Sequence, residues 1–225
     1  MKTRKFERSL LIAATLPLFI CTGALAATPA GKITDAEGEA EIIRKGTAEP
    51  EIVQEQMDVF EGDALETGED GMIRVALADG SSLTLAPEGH LKITRQLYDA
   101  KKGERESLFD LLRGKIRAEV AKLAKLSRSN FEVRTPTAVA GVRGTDFEVE
   151  HDEAAGESGV YVFEGSTDWK DVKSGESLLI QSGYFCRHRP GRKLLAALLS
   201  DDERARRRAF FVLRERAKRR RLRRI

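Results

Sequence analysis

Apolar and polar residues alternate with a period of two along most of the chain between residues 31 and 186. Residues 73–77 alternate in this way, Asp79-Gly80 supplies a turn, and the alternation resumes at residues 83–85. This pattern predicts a β-hairpin with one buried face. Further strands are predicted at residues 116–120, 131–135, 147–149, 161–163 and 178–180. Short strands separated by Gly, Asp and Ser indicate an all-β sandwich, barrel or solenoid.

The pattern changes beyond Pro190, where helix-forming residues replace the alternation. Ser200 followed by Glu203 matches a capping box, and two aspartates between them place negative charge in the first turn. An approximate helical stripe of apolar residues follows, with Phe210 and Phe211 beside it. We therefore expect a C-terminal α-helix that begins at Ser200.

Residues 1–26 have the three parts of an export signal. Four basic residues precede an apolar stretch over residues 10–20, and Ala24-Leu25-Ala26 offers small residues for cleavage before Ala27. The apolar stretch is shorter than the roughly 20 residues of a membrane-spanning helix. We expect a cleaved signal peptide and a periplasmic protein. An uncleaved anchor at the inner membrane is the alternative.

Cleavage would remove Cys21 and leave Cys186 as the one thiol of the mature chain. Such a chain has no internal disulfide, so its stability must come from an apolar core. We expect Cys186 to pack in that core as a small apolar residue. An intermolecular disulfide through Cys186 is the alternative.

Charge divides the mature chain into an acidic part and a basic tail. Residues 27–186 carry a net charge of −12, whereas residues 187–225 contain 16 Lys and Arg against four acidic residues. This asymmetry indicates a partner that recognises charge. The tail is expected to bind anionic envelope components, as peripheral membrane contact, or to dock on its own acidic domain or an acidic partner. An export signal disfavours nucleic acid. The cations expected to make these contacts are Arg207, Arg208, Arg214, Lys218, Arg219, Arg220 and Arg221.

The most specific motif is the segment from Thr135 to Phe147, TPTAVAGVRGTDF, between two predicted strands. Other glycine-centred motifs accompany it in order: GDALETG from Gly62, DGSSL from Asp79, LRGKI from Leu112 and VFEG from Val162. This ordered set resembles the FecR domain over roughly residues 31 to 186. The signature positions are Thr135, Pro136, Gly141, Val142, Arg143, Gly144, Thr145 and Phe147, and the expected turn positions are Gly62, Asp63, Asp79, Gly80, Gly114, Glu164 and Gly165.

The resemblance implies a compact, solenoid-like stacking of strands. We expect this all-β domain at residues 27–186, followed by a basic helical tail at residues 187–225. Well-known FecR proteins relay a signal from an outer-membrane transporter to a sigma factor through a cytoplasmic segment, one membrane span and an extra domain. The flanks of this chain differ from that plan, so the sigma-regulator role is not expected here. The resemblance instead implies a scaffold that binds another envelope protein or an envelope polymer.

The signature residues are expected to have architectural roles. Pro136 should end the strand before it, and Gly141 and Gly144 should permit positive φ or close backbone approach at a tight connection. Arg143 is expected to cap carbonyl groups or to pair with Asp146, because its guanidinium offers five donors in a rigid fork. Direct recognition of a partner by Arg143 is the alternative.

Candidate chemistry is sparse. His90, His151 and His188 lie far apart and show no metal-ligand spacing, and no serine lies in a Gly-x-Ser-x-Gly elbow. The glycines of the signature lack the Lys-Ser or Lys-Thr pair of a phosphate-binding loop. We expect no enzyme activity, metal or cofactor. A polysaccharide-binding module is a further alternative, for which Trp169 and Tyr98 would have to be exposed.

Overall fold

The computed structural model describes residues 28–124 and 126–222, with the side chains of residues 28–124 and 126–211. It consists of strands and one C-terminal helix, so the predicted all-β class is confirmed. The strands are β1 (Gly31–Glu37), β2 (Ala40–Ile43), β3 (Pro50–Ile52), β4 (Asp58–Val59), β5 (Ala64–Thr67), β6 (Met72–Leu77), β7 (Ser82–Leu85), β8 (His90–Asp99), β9 (Glu104–Glu119), β10 (Arg128–Arg134), β11 (Ala138–Val142), β12 (Asp146–Asp152), β13 (Glu157–Glu164), β14 (Ser166–Asp171), β15 (Ser177–Gln181), β16 (Tyr184–His188) and β17 (Ala197–Leu198), and helix α1 spans Asp201–Leu222.

The strands form two layers that share one apolar core. The front sheet has the order β4-β1-β6-β7-β9-β12-β13-β16-β17. The back sheet has the order β3-β2-β5-β8-β9-β10-β11-β14-β15. All neighbouring strands are antiparallel except β9 and β10, which are parallel. The chain alternates between the layers, so strands distant in sequence complete each sheet.

Strand β9 belongs to both sheets and joins them. Its first ten residues pair with β8 and β10 in the back sheet, and its last residues pair with β7 and β12 in the front sheet. Gly114 lies at the crossing with φ +85°, and a Cβ there would be 2.7 Å from the Cα of Gly89. The expectation of a turn at Gly114 is therefore wrong, because the glycine redirects a continuous strand from one layer to the other.

The predicted alternation accounts for most of the core. The hairpin of β6 and β7 forms as expected, with Ile73 and Val75 paired to Leu85 and Leu83 on the buried side. The exception is β13, where Val160 and Val162 enter the core between the sheets. Tyr161 and Phe163, expected on the core face, are instead buried on the outer face of the front sheet. The run alternates poorly because both of its faces are covered.

The β domain continues beyond the predicted boundary at Cys186. Strand β16 includes Arg187 and His188, and β17, which pairs with it, begins at Ala197, eleven residues after Cys186. Cys186 itself is fully buried in the main core, where burial raises the pKa of its thiol. In this conformation the thiol is not presented to a second chain.

Candidate protein-interaction surface

Helix α1 starts where its sequence provides a cap. The Ser200 hydroxyl accepts a hydrogen bond from the Glu203 amide at 3.2 Å, and the Ser200 carbonyl accepts from the Arg204 amide at 2.9 Å. Three acidic residues, Asp201, Asp202 and Glu203, occupy the first turn, where they complement the helix dipole. The helix then crosses the outer face of the front sheet, which we call the helix-docking face. Its residues are Met72, Ala86, Arg117, Asp146, Glu148, Glu150, Tyr161 and Phe163.

Arg207 is the central contact between the helix and this face. Its guanidinium pairs with Glu148 and Glu150 of β12, and it also bonds Glu203 one helical turn earlier at 2.8 Å. The guanidinium carbon lies 3.4 Å from the ring centroid of Tyr161 on β13. Only 10% of the Arg207 side chain is exposed. Three carboxylates and an aromatic ring thus enclose one cation, an arrangement in which Arg is favoured over Lys.

Arg208 makes a second ionic contact, at the N-terminal end of β12. It donates to Asp146 of β12 at 3.0 Å, and its guanidinium lies 5.6 Å from the Phe163 ring centroid. The same carboxylate also receives a bidentate pair from Arg117 of β9, with N–O distances of 3.0 and 2.9 Å. Two arginines from different elements therefore share Asp146, which fixes the carboxylate in position for the helix.

An apolar contact completes the docking. Phe211 is 3% exposed and packs against Met72 of β6 and Ala86, which directly follows β7. The Arg117 guanidinium lies 6.0 Å from the Phe211 ring centroid and 5.6 Å from that of Phe163. Hence one arginine of the sheet bridges the ionic and the apolar parts of the helix-docking face.

The ionisation of Glu148 depends on this enclosure. Burial, opposed by the positive charge of Arg207, raises the pKa of Glu148 to about 7. Burial and the neighbouring carboxylate of Glu150 also raise the pKa of Tyr161, which donates a hydrogen bond to Glu150 at 2.6 Å. The face is thus acidic and only partly solvated, so a cation that enters it replaces water as the partner of the carboxylates.

Comparison with known proteins identifies the domain that carries this face. The family model described as FecR protein matches residues 63–167. Residues 63–167 carry a FecR domain. The resemblance drawn from the ordered motifs is confirmed. All eight residues of the helix-docking face lie inside the matched FecR region, whereas α1 lies outside it.

Two crystal structures of a candidate anti-sigma factor from Parabacteroides distasonis, at 1.65 and 2.50 Å resolution, are similar to this chain. Each is 17% identical, with TM-scores of 0.48 and 0.49. The similarity covers 60% of this chain and 59% of each of those chains. A comparison with curated proteins gives no match.

The FecR signature surrounds the connection between β10, β11 and β12. Pro136 follows the end of β10, and the Thr135 hydroxyl accepts a hydrogen bond from the Ala138 amide at 2.9 Å. Val142 and Phe147 are buried in the core. Gly144 has φ +65°, and the neighbouring Thr145 hydroxyl donates to the Ser166 carbonyl at 2.9 Å. These contacts hold the FecR domain's strands together.

Two expectations for the signature are wrong. Gly141 lies within β11 without a positive φ, and a Cβ there would meet nothing closer than 3.8 Å. Arg143 does not pair with Asp146, because Asp146 is taken by Arg117 and Arg208. Arg143 is exposed, and within the described part of the chain it makes no hydrogen bond or ion pair. Partner recognition is thus the role that its position leaves open.

The remaining motif positions lie at turns with internal contacts. Gly62, Gly80 and Gly165 have positive φ. The buried Asp63 accepts from the Phe60 amide and from Arg44 at 2.9 and 2.8 Å. Asp79 pairs with the buried Arg105 at 3.0 Å, and Glu164 pairs with Lys122 at the surface. The acidic turn residues of the FecR domain therefore stabilise turns.

The cations predicted in the tail have different fates. Arg207 and Arg208 both contact the helix-docking face. The side chains of Arg214, Lys218, Arg219, Arg220 and Arg221 lie outside the described residues. Sequence reasoning missed the acceptors of these contacts, Glu148, Glu150 and Asp146. Their spacing of two residues within one strand was the available signal, since it places three carboxylates on the same face.

The three histidines do not meet at a common site. His151 lies within 3.0 Å of the Ser158 hydroxyl, His188 pairs with Asp171 in the core, and His90 lies 3.3 Å from Glu66. Among residues 28–124 and 126–211, no three metal-ligating side chains are grouped around a common point. Trp169 is fully buried, so it is not the exposed aromatic that a polysaccharide-binding surface would require. No helix among the described residues has both the length and the apolar character of a membrane span.

Proposed function

We propose that this FecR-domain protein is an exported, non-enzymatic interaction module that acts in signal transduction at the bacterial cell envelope. The FecR domain supports the signalling role, and residues 1–26 support export to the periplasm. The domain contributes a scaffold of two sheets, and the tail contributes attachment by charge.

One observation carries the proposal. The helix-docking face holds a cationic helix through Arg207, enclosed by Glu148, Glu150 and Tyr161. Such a surface recognises charge, aromatic packing and helical spacing together, and these are the features by which grooves recognise peptide helices. The face therefore has the chemistry of a protein-binding surface.

The distribution of charge in the tail supports a second role for the tail, which is attachment to anionic groups. Arg207, Arg208 and Phe211 contact the domain, whereas most of the tail's remaining cations follow in residues 212–225. We propose that this terminal cluster attaches the protein to an anionic partner or to anionic groups of the envelope surface. Attraction to such groups would weaken as ionic strength rises.

A combined localisation and crosslinking experiment tests this function. The full chain, with a C-terminal tag, would be expressed in a Gram-negative host, and the mass of the product in each envelope fraction would be measured. A photo-crosslinking residue would replace one exposed residue at a time: Arg143 in the signature turn, Arg206 on the helix and Lys92 on the back sheet. We expect a periplasmic product that starts at Ala27 and a discrete crosslinked protein from at least one position.

The contrary results are distinct. A product that retains Met1 in the inner-membrane fraction would favour the anchored transducer. Absence of any crosslinked protein from all three positions, in cells that contain the folded chain, would contradict the interaction function.

A further inference from the structure

We infer that the helix-docking face is a binding site for a basic amphipathic helix of another protein, and that α1 occupies the site as an intramolecular competitor. The inference rests on the proposed interaction function, since it names the surface and the chemistry of the partner. The partner helix would carry Arg, Arg and an aromatic residue at the spacing of Arg207, Arg208 and Phe211.

The face is energetically separate from the core that folds the domain. The main apolar cluster lies between the two sheets and includes no residue of α1. Phe211 belongs to a small cluster with Met72 and Ala86, and Tyr161 and Phe163 form another with Leu199. Withdrawal of the helix would expose these small clusters and leave the sandwich core intact. Release of α1 therefore does not require the domain to unfold.

The described part of the helix is held by few residues. Between Asp201 and Phe211, Phe211 is the one buried residue, and Arg207 and Arg208 make the ionic contacts with the sheet. Arg206 is exposed, and its carboxylate partner is Glu203 of the same helix. A contact that depends on three side chains can be displaced by another helix that reproduces them and adds contacts of its own.

The geometry also defines what the partner must present. Arg207 and Phe211 are four residues apart, so they lie on the same side of the helix, and Arg208 lies beside them. On the helix-docking face, the carboxylates of Glu148 and Asp146 bind these two arginines, and Met72 packs against the phenylalanine. Lys would satisfy this site less well, because the Arg207 guanidinium contacts two carboxylates of β12 while it also lies over the Tyr161 ring.

A helix of another protein is a better candidate than α1 of a second copy. The α1 helix is tethered directly after Leu199, which packs against Tyr161 and Phe163. The tether gives the helix of the same chain a high effective concentration at the face. The helix of a second copy would offer identical contacts without that advantage, so it would not displace the resident helix. The helix of a different protein can displace α1 from the helix-docking face if it makes additional contacts.

The test uses the full chain and a labelled peptide with the sequence of residues 200–222. Peptide binding would be followed by fluorescence anisotropy for the wild-type chain, for the Arg207→Ala chain, whose own helix is weakened, and for Arg206→Ala as the matched control. We expect the Arg207→Ala chain to bind the peptide about tenfold more tightly than the wild type, and the Arg206→Ala chain to match the wild type. A peptide that itself carries Arg207→Ala should lose this binding.

Equal peptide affinity of the Arg207→Ala and Arg206→Ala chains would overturn the inference, provided that Trp169 fluorescence shows both to be folded. A second experiment removes the acceptors in the Arg207→Ala background, through Glu148→Gln with Glu150→Gln. Undiminished peptide binding there would also overturn it. Mixed dimers between tagged and untagged wild-type chains would assign the face to a second copy instead. A crosslinked partner found only at Arg143 would support the proposed interaction function but would contradict the inference that the helix-docking face binds the partner.

Discussion

At the scale of single residues, the environment of Glu148 shows how two elements create one ionisable group. Strand β12 presents the carboxylate on the outer face, and α1 covers it with Arg207. Burial raises its pKa to about 7, so the folded protein holds a proton that the unfolded chain releases at lower pH. The group therefore links the stability of the protein to pH.

Glu148→Gln should change this pH dependence in a defined direction. Below about pH 4.5 the carboxyl is protonated in both states, and as pH rises through about 7 the wild type loses stability that the variant keeps. We expect the unfolding free energy of Glu148→Gln, relative to wild type, to rise by up to about 3 kcal/mol between pH 5 and pH 8. Urea denaturation followed by Trp169 fluorescence measures it, with the exposed Glu49→Gln as control. A difference that is constant over this range would contradict the assignment.

The buried pair of Arg105 and Asp79 is expected to dominate the stability of its turn. The two side chains are 1% and 0% exposed, and Arg105 also donates to Ser129 and to the Ala121 carbonyl. Arg105→Met should destabilise the protein by about 3–5 kcal/mol, because it leaves the Asp79 carboxylate buried without a counter-ion.

The matched control for that pair is Arg95→Ala. Arg95 is 46% exposed and pairs with Glu61 and Glu106 at 3.5 and 3.4 Å. Loss of an exposed pair should cost less than about 1 kcal/mol. Similar losses of unfolding free energy in the two variants would show that the buried Arg105–Asp79 pair contributes no more to stability than an exposed ion pair.

Residue partners were the part of the site that the sequence predicted least well. Arg143 and Asp146 are three positions apart, which made them candidates for a pair. Sheet formation instead brings Arg117 next to Asp146 across β9 and β12, where the register places Asp146 opposite Glu119. Pairing across a sheet depends on register between strands distant in sequence, and no local pattern specifies that register.

At the scale of elements, β9 is the strand that makes the two sheets one domain. The crossing at Gly114 combines a positive φ with close approach to Gly89. Gly114→Ala should therefore cost about 3 kcal/mol or more, through backbone strain and overpacking. Thermal or urea unfolding measures it.

Gly156→Ala separates the two causes of that loss. Gly156 also has a positive φ, of +62°, but a Cβ there would meet no atom within 4 Å. Its substitution should cost only about 1 kcal/mol, for backbone strain alone. If Gly114→Ala lowered the unfolding free energy no more than Gly156→Ala, the close approach of Gly114 to Gly89 would not contribute to the loss of stability.

Strand existence followed from the period-two pattern, and element ends and exposed faces followed less well. Alternation in β6 and β7 is clear because one face of the hairpin lies on the core and the other carries polar residues. In β13 the pattern disappears because Leu199 and two arginines of the helix, Arg207 and Arg208, cover the second face. The boundary at Cys186 was too early because β17 is two residues long and carries no periodic signal.

At the scale of the whole molecule, α1 adds a partial third layer to a two-layer domain. The helix contacts the front sheet through charge and through one buried phenylalanine, whereas the sheets share an extensive apolar core. The two parts should therefore open independently, with the helix opening at lower free energy than the sandwich.

Phe211→Ala should reveal this independence. Loss of the buried ring should make trypsin cleavage within residues 201–222 at least about tenfold faster, because the released helix is open to the protease. The Trp169-monitored unfolding free energy should change by less than about 1 kcal/mol, since the sandwich core is untouched. The control is Phe210→Ala, whose side chain is 41% exposed. A loss of several kcal/mol in the Trp169 transition would show that helix and sandwich unfold as one unit.

Hydrogen exchange of the α1 amides tests the docking of the helix on the acidic front sheet most directly. It would be measured by mass spectrometry at pH 8, above the pKa of about 7 of Glu148, in the full chain for the wild type, Arg207→Ala, Glu148→Gln and the double variant. Because alanine is a better helix former than arginine, faster exchange in Arg207→Ala would report lost docking rather than lost propensity. We predict slow exchange in the wild type, faster exchange in both single variants, and no further acceleration in the double variant. Equal exchange in all four proteins would show that Arg207 and Glu148 do not hold α1 on the front sheet.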